Sequence, residues 1–534
     1  MNDVLRPHHT RRRDRWARHG VRTACVLLAW MAFSAHVGTN QVVLEGRAGG
    51  YPIRVLIDPP GVVPSQVPIL VRILEGQPTR VTVRAAQWNI GTKGAPPAED
   101  ASPVPGDPGV WSHALWIMTS STYSVYVAVE GPAGAGTLVV PMQTNASRTL
   151  GMDRVMGGIL LVVGSLLIAG LLSIVGASTR EGSLPPGEHS TAPQQRRARV
   201  AMAVAAGVIA LALFGGSAWW RVEDEAYRRR LYRPLSSSAR VRTLDADRIL
   251  TIAITDSLFR TNRLPPLMPD HGKLMHLFLV RADPHDAIAH LHPLRIHADS
   301  FVARVPALPA GRYLVYGDLL FQSGAQRTLV DTIDLPVAPV VADVVASSSA
   351  ATAYGDADDS WRVVRAVPLG DSVSLSSGGS LRLRADADVV VKRDLRLVVT
   401  MHDASGGVLK TEPYMGMGGH AMVLRRDAGI FMHLHPMGTA SMSAQAQLMR
   451  RERGDTARLD SVMLARMLAA EAASMANDSM SAGGRAHVGM TNAPLSFPFA
   501  FPSAGDYRVF VQVKRGGVIE TAAFDVHVPE RLSP

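Results

Sequence analysis

Residues 271–293 read HGKLMHLFLVRADPHDAIAHLHP, and residues 414–436 read YMGMGGHAMVLRRDAGIFMHLHP. Both stretches end in His-Leu-His-Pro, at His290–Pro293 and His433–Pro436. His276 aligns with His420, and a turn follows each: near Asp283–Pro284 in the first copy, at Asp427–Gly429 in the second. A strand sends alternate side chains to one face, so His290 and His292 point together, as do His433 and His435. Folding each stretch into a hairpin sets His276 across from His290 and His292, and His420 across from His433 and His435. Opposed Cβ atoms then sit about 4.5–5.5 Å apart. Three imidazoles at that spacing can close on one ion with metal–nitrogen bonds of about 2.0–2.1 Å. Register decides the matter, because a one-residue slip turns the doublet to the other face. The competing reading is structural: paired histidines hydrogen-bond to one another and to carbonyls, and the proline ends the strand.

The repeat is larger than the histidine phrase. Leu308-Pro-Ala-Gly-Arg-Tyr-Leu-Val-Tyr returns as Phe501-Pro-Ser-Ala-Gly-Asp-Tyr-Arg-Val-Phe. Two homologous β-sandwiches over 244–337 and 375–530 are therefore expected, joined by an Ala-, Ser- and Asp-rich linker over 338–370. The second carries an insertion, 438–495, with helical spacing over Asp455–Ala476 and seven methionines between Met442 and Met490. Methionine there serves either as an adaptable core residue or as a metal-collecting arm.

Methionine also surrounds the second histidine phrase. Met422 shares a face with His420, Met415 and Met417 lie in the Gly-rich approach, and Met437 follows Pro436. Thioethers favour Cu(I), and imidazole accepts copper in either oxidation state. The expected ligands at the second copy are His420, His433 and His435 with Met415, Met417, Met422 or Met437. His276, His290 and His292, with Met275 beside them, make the first site, the more zinc-like or Cu(II)-like of the two. The expected cofactor is thus a copper ion, Cu(I) foremost, with zinc as the alternative.

Upstream, residues 42–145 form short Val-, Ile- and Tyr-rich runs separated by Pro and Gly clusters, the pattern of another sandwich. Two apolar runs follow, 156–175 and 200–219, each without a charged residue and each near the ~20 residues that span a bilayer. The loop 178–199 carries Arg180, Arg196, Arg197 and Arg199 and is expected on the cytoplasmic side, although Arg228–Arg230 pull the other way. Residues 1–36 have the layout of a signal peptide or signal anchor, with Arg11–Arg13 and Arg15 before the apolar run Ala24–Phe33. An even number of later spans returns both soluble parts to the outer face of the inner membrane, the periplasm of a Gram-negative cell. The expected fold is mainly β: three extracytoplasmic immunoglobulin-like or cupredoxin-like sandwiches, two transmembrane helices and a signal segment.

Composition narrows the function. The net charge of +10 over 534 residues comes from arginine clusters beside apolar runs, and no basic stripe interleaved with aromatics points to nucleic acid. The single cysteine, Cys25, lies in the first apolar run. That excludes an intramolecular disulfide, a Cys-rich zinc site, and a blue-copper centre in the exported part, which adds a Cys ligand. No nucleophile elbow, HExxH, Walker loop or dinucleotide fingerprint stands in a suitable context, so an enzyme is not expected.

Two resemblances add to this reading. PSQVPILVRILEGQPTRVTVRAA, APPAED and TYSVYVAVEGPAGAGTLVVPM, within Val63–Pro141, resemble the small exported YtkA-like and FixH-like sandwich domains, which implies a sandwich and no site. The His-x-His-Pro segments are similar to those of exported proteins associated with copper and heavy-metal efflux loci. That similarity implies metal handling beside a copper pump, an oxidase subunit or an efflux component. The expected function is a membrane-anchored periplasmic protein that binds, buffers or delivers copper. The alternative is a non-metal assembly or interaction module, an oxidase or efflux-pump accessory, with structural histidines.

Overall fold

Period-two burial sets the architecture. Asp247–Ile254, for example, alternates partly exposed and buried residues along its whole length. The computed structural model describes residues 41–185, 187–244, 247–337, 354–480 and 494–530, and side chains 474–480 are not described. The expected signal segment lies outside these residues. The chain divides into a β-rich unit and a helical unit around residues 145–233.

The β-rich unit holds three two-sheet sandwiches. In the first, strands Val42–Ala48, Tyr51–Ile57, Ser65–Ile73, Val110–Ile117 and Ser102–Pro103 form one sheet in that order. Glu99–Asp100, Arg80–Gln87, Ser121–Glu130 and Gly136–Thr144 form the other. In the second sandwich, one sheet runs Ser237–Leu244, Asp247–Ile254, Ser300–Val305, Leu294–His297. Its mate runs Leu267–Met268, Gly311–Phe321, His276–Arg281, Ala287–Leu291, Ser360–Val363, and Gln326–Leu335 also pairs with Gly311–Phe321. In the third, Val367–Pro368, Val518–Val528, Gly505–Arg515, His420–Arg425 and Phe431–Leu434 make the sheet that carries the second histidine hairpin. Ser372–Ser374, Ser380–Ala385, Leu395–His402 and Leu495–Phe499 complete it.

The repeated Ala-Gly-x-Tyr phrase has a physical basis. Gly311 and Gly505 stand at φ 137° and 133°, a region L side chains rarely adopt. Two residues on, the buried Tyr313 and Tyr507 donate their hydroxyls back to the carbonyls of Pro309 and Ser503, at 2.9 and 2.8 Å. Tyr123 makes the same corner in the first sandwich, to the Thr119 carbonyl at 3.0 Å. A tyrosine corner of this kind is a hallmark of immunoglobulin-like sandwiches.

Several boundaries differ from the sequence reading. The second sandwich begins at Ser237 rather than 244. The stretch 338–370 is not all linker: Ser360–Val363 pairs antiparallel with Ala287–His290 as an edge strand of the first histidine sheet, and Val367–Pro368 pairs parallel with Phe524–Asp525. Its Ala-, Ser- and Asp-rich beginning hid the short apolar alternation that follows, and 338–353 lie outside the described residues. The insertion holds two helices, Met442–Glu452 and Ser461–Met480. Met463 and Met467 are half-buried against Met268, Leu320 and Leu459, so here methionine fills a core. The first helix is tied to the first sandwich, where Gln445 donates to the Val139 carbonyl at 2.7 Å and Glu452 accepts from Thr92 and Tyr126.

The helical unit consists of Arg154–Glu181 and Ala192–Arg229, each long and apolar enough to cross a membrane. Both run past the expected 156–175 and 200–219 and shorten the connection to Gly182–Thr191. Asp153 caps the first through the amides of Val155 and Met156, and a Thr191–Gln194 capping box starts the second. Leu161, Leu167, Leu211 and Phe214 are more than half exposed, a surface suited to lipid.

The histidine sheets of the second and third sandwiches lie against each other. Phe278, Val280, Ile288 and Tyr316 from one form a shared core with Met422, Leu424, Phe431, Phe510 and Ala523 from the other. Tyr316 and Phe431 stack with centroids 4.3 Å apart. We expect Phe431→Ala to destabilise the β-rich unit by about 3–5 kcal/mol, the usual range for a buried Phe truncation. Thermal unfolding of the full chain in detergent checks it, and a transition shifted by less than a degree would contradict this packing.

Candidate metal centre

The hairpins form in the register that the histidine spacing requires. Leu277 pairs with Leu291 and Phe278 with His290, and Ala421 pairs with Leu434 and Met422 with His433. His276, His290 and His292 therefore share one face, as do His420, His433 and His435, and each trio has ligand atoms within 4.8 Å of one another. Tertiary structure then places the two trios together. Ring centroids within a trio are 4.5–5.5 Å apart. Between trios, His276–His433, His290–His433 and His290–His420 are 5.2, 5.6 and 5.9 Å apart. The six imidazoles thus form one continuous cluster, and all are buried.

Hydrogen bonding fixes the tautomers of the first trio. His276 Nε2 donates to the Asp270 carbonyl at 3.0 Å, His290 Nδ1 to Gln512 Oε1 at 3.0 Å, and His292 Nδ1 to Asp359 Oδ1 at 3.1 Å. The Gln512 amide is oriented by its own donation to Ser360 Oγ at 2.9 Å. A neutral imidazole carries one proton, so the opposite nitrogens, His276 Nδ1, His290 Nε2 and His292 Nε2, bear lone pairs. Two of these lone pairs face each other across 3.2 Å, and His292 Nε2 has no hydrogen-bond partner. Convergent unprotonated nitrogens repel one another and leave buried acceptors unsatisfied, and a cation among them removes both penalties. Outer acceptors that fix ring and tautomer are the usual second layer of a metal site.

The second trio is less fully oriented. His420 Nδ1 and His433 Nε2 are 3.1 Å apart, His433 Nδ1 lies 3.7 Å from Asp318 Oδ2, His420 Nε2 lacks a partner, and His435 has only a loose bond to the Ala440 carbonyl. The two domains serve each other reciprocally. Asp318 pairs in register with His276, and Gln512 with His420. Yet Gln512 orients His290 and Asp318 faces His433, each across the domain boundary.

Burial keeps these rings neutral. Desolvation pushes His276 down to about 4 and His435 down to about 3, and holds His290, His292, His420 and His433 well below the ordinary value. Neutral imidazole is the form that binds metal. Burial also raises the Asp318 and Asp359 carboxyls to about 7.

The methionines are distributed differently from the histidines. Met422 sits on the His433 side of its strand, in the apolar core between the two sheets. Met415 and Met417 are buried in the turn that leads to His420, with Met415 at φ 50°. Met437 packs into the core of the first sandwich and Met275 into that of the second, so these two thioethers are engaged in apolar cores.

Sequence reasoning missed Asp270, Asp318, Asp359, Gln512 and Tyr414. Tyr414 donates to the Asp358 carbonyl at 3.1 Å, with its hydroxyl 3.4 Å from His290 Nδ1. Only the Asp270-His271-Gly272 turn carried a local signal, since it repeats as Tyr414-Met415-Gly416 with the same left-handed residue followed by a left-handed glycine. The others lie far away in sequence. Insertion residues close over this turn: Ser441 donates to Asp270 Oδ1 at 2.8 Å, and Glu471 accepts from the Gly272 amide.

A profile for a domain of unknown function (DUF8832) matches residues 375–456 and 478–530. The match covers most of the third sandwich, including His420, His433 and His435, and is interrupted within the insertion. No curated protein matches the chain. Among solved structures, Salmonella alpha-2-macroglobulin reacted with methylamine is similar at 7% identity and a TM-score of 0.19, over 92% of this chain and 24% of that one. The chain thus spans about a quarter of that structure's length. The FN1–FN3 domains of chicken CNTN1 align at 8% identity and a TM-score of 0.13, over 91% and 99% of the two chains. A putative membrane anchored protein from Corynebacterium diphtheriae aligns at 8% and 0.14, over 90% and 93%. Superpositions at these TM-scores define no shared fold.

The depressed histidines predict a pH dependence. Their folded values lie below the ordinary value near 6.5. Below about pH 6.5 the unfolded chain takes up protons on six histidines that the folded, metal-free chain excludes; the raised carboxyls of Asp318, Asp359 and Glu471 act in the opposite direction but are outnumbered, so stability falls as pH falls. We expect the melting temperature of metal-free protein to decline steadily from about pH 7 to about pH 4. A His290→Gln/His433→Gln variant should show a shallower decline in the same scan, and equal slopes would contradict the neutral, buried state of these rings.

Proposed function

We propose that this protein is a membrane-anchored copper-binding protein whose paired histidine hairpins hold the metal. One observation carries the reading: His276 Nδ1, His290 Nε2 and His292 Nε2 are buried, unprotonated and convergent, and their opposite nitrogens are held by outer acceptors. Six imidazoles in one cluster suit copper or zinc, and the thioethers of Met415 and Met417, buried in the turn that leads to His420, favour copper, Cu(I) above all. Burial of the whole cluster favours retention or hand-over of an ion rather than turnover of a bulky substrate. On this reading the two apolar helices hold the chain in the inner membrane, and the signal-like start of the sequence, with arginines flanking the connection between the helices, supports a periplasmic position for the sandwiches. Buffering copper or passing it to a pump, an oxidase or an efflux component is the role that fits.

The test uses the full chain in detergent, stripped of metal and loaded with Cu(I) or Zn(II) against a competing chelator. We expect wild type to retain copper more tightly than zinc. His276→Ala/His290→Ala/His292→Ala and His420→Ala/His433→Ala/His435→Ala should each lose bound copper by metal analysis while still eluting as folded protein. Equal retention in wild type and both triple variants would reject the site and favour an assembly module with structural histidines.

A further inference from the structure

His435 belongs to two groups at once. Its ligand atoms lie within 4.8 Å of His420 and His433, and also within 4.8 Å of Asp270 and His271 from the neighbouring sandwich. The ring is fully buried; the Ala440 carbonyl accepts only a loose bond from it, and neither nitrogen has a partner at full hydrogen-bond geometry. A neutral imidazole left this way has a poorly held donor and an unsatisfied buried acceptor. His271 faces it with centroids 5.0 Å apart, its side chain is 10% exposed, and its Nε2 makes no hydrogen bond of full geometry. Asp270 lies between them and the insertion: one carboxylate oxygen accepts from Ser441 at 2.8 Å and stands 3.4 Å from His271 Nε2. His271 sits at φ 49° and is followed by Gly272 at φ 75°, a turn that swings its ring toward the other domain.

We propose that His435 is a bridging imidazole between two metal positions. One ring nitrogen completes the trio with His420 and His433. The other, with His271 Nε2 and the Asp270 carboxylate, forms a mixed nitrogen–oxygen site at the seam between the second and third sandwiches. The site takes a divalent first-row ion, Cu(II) or Zn(II), because imidazole and carboxylate together suit that class better than Cu(I). Filling both positions breaks the remaining N–H bond of His435. Its proton leaves to the buffer, and the imidazolate electron pairs bind one ion on each side, with no change in oxidation state. The bridge joins the seam position to the second trio and makes it part of a polynuclear centre. It rests on the copper-binding reading above.

The full chain in detergent, stripped of metal and titrated with Cu(II), separates the two ideas. Wild type should retain three equivalents by metal analysis, one per trio and one at the seam. Its electron paramagnetic resonance should show magnetic coupling between two of the ions. His271→Asn, chosen because asparagine tolerates the left-handed conformation, should retain two equivalents and lose the coupling. Asp270→Asn, which preserves shape, should weaken the third equivalent at least tenfold. Near-ultraviolet circular dichroism reports whether each variant keeps its fold. Should His271→Asn and Asp270→Asn keep wild-type stoichiometry and coupling, or wild type hold only uncoupled ions, the bridge is wrong while the trios stand. Absence of bound copper in wild type overturns both.

Discussion

The centre of this molecule depends on one contact, the packing of two histidine-bearing sheets face to face. Phe278, Tyr316 and Phe431 anchor it, with Tyr316 stacked on Phe431 at 4.3 Å. Burying aromatics of this size is among the larger favourable terms open to a domain interface. Where that apolar core ends, the same strands carry histidines, and the packing that buries the phenylalanines also strips water from six imidazoles. Desolvation keeps the rings neutral, neutrality leaves lone pairs, and the lone pairs converge. Each step follows from the one before it.

Reciprocity refines the arrangement. Asp318 and Gln512 occupy equivalent places on equivalent strands, yet each serves a histidine of the opposite domain. The copies have diverged at these positions. A neutral amide orients His290 at hydrogen-bond distance, whereas a carboxyl raised to about 7 by burial stands farther from His433. The first trio, poorer in methionine, has the fuller set of orienting partners. With this asymmetry, the two trios would differ in affinity for any ion they hold.

The remaining parts of the β-rich unit act as bracing. Arg54 and Arg72 of the first sandwich meet Asp394 of the third, and Arg396 of the third meets Glu45 of the first. The helical insertion leans on the first sandwich through Gln445 and Glu452 and reaches the Asp270–Lys273 turn through Ser441 and Glu471. Access to the buried cluster is therefore coupled to how the insertion sits on the Asp270–Lys273 turn.

The sequence by itself determined the mainly β class, the two apolar helices, the duplicated sandwiches and the two histidine trios. All of these follow from local periodicity: two residues for a strand, ~20 apolar residues for a span, and hairpin spacing for His276 with His290 and His420 with His433. Only the tertiary structure decided that the trios are one cluster, that Gln512 and Asp318 work across the boundary, that Met437 and Met275 belong to apolar cores, and that His435 faces His271. The cross-domain relations join residues more than 100 positions apart, such as Asp318 with His433 and His271 with His435. Period and spacing describe how a segment folds on itself, and they carry no information about which face of another domain it meets.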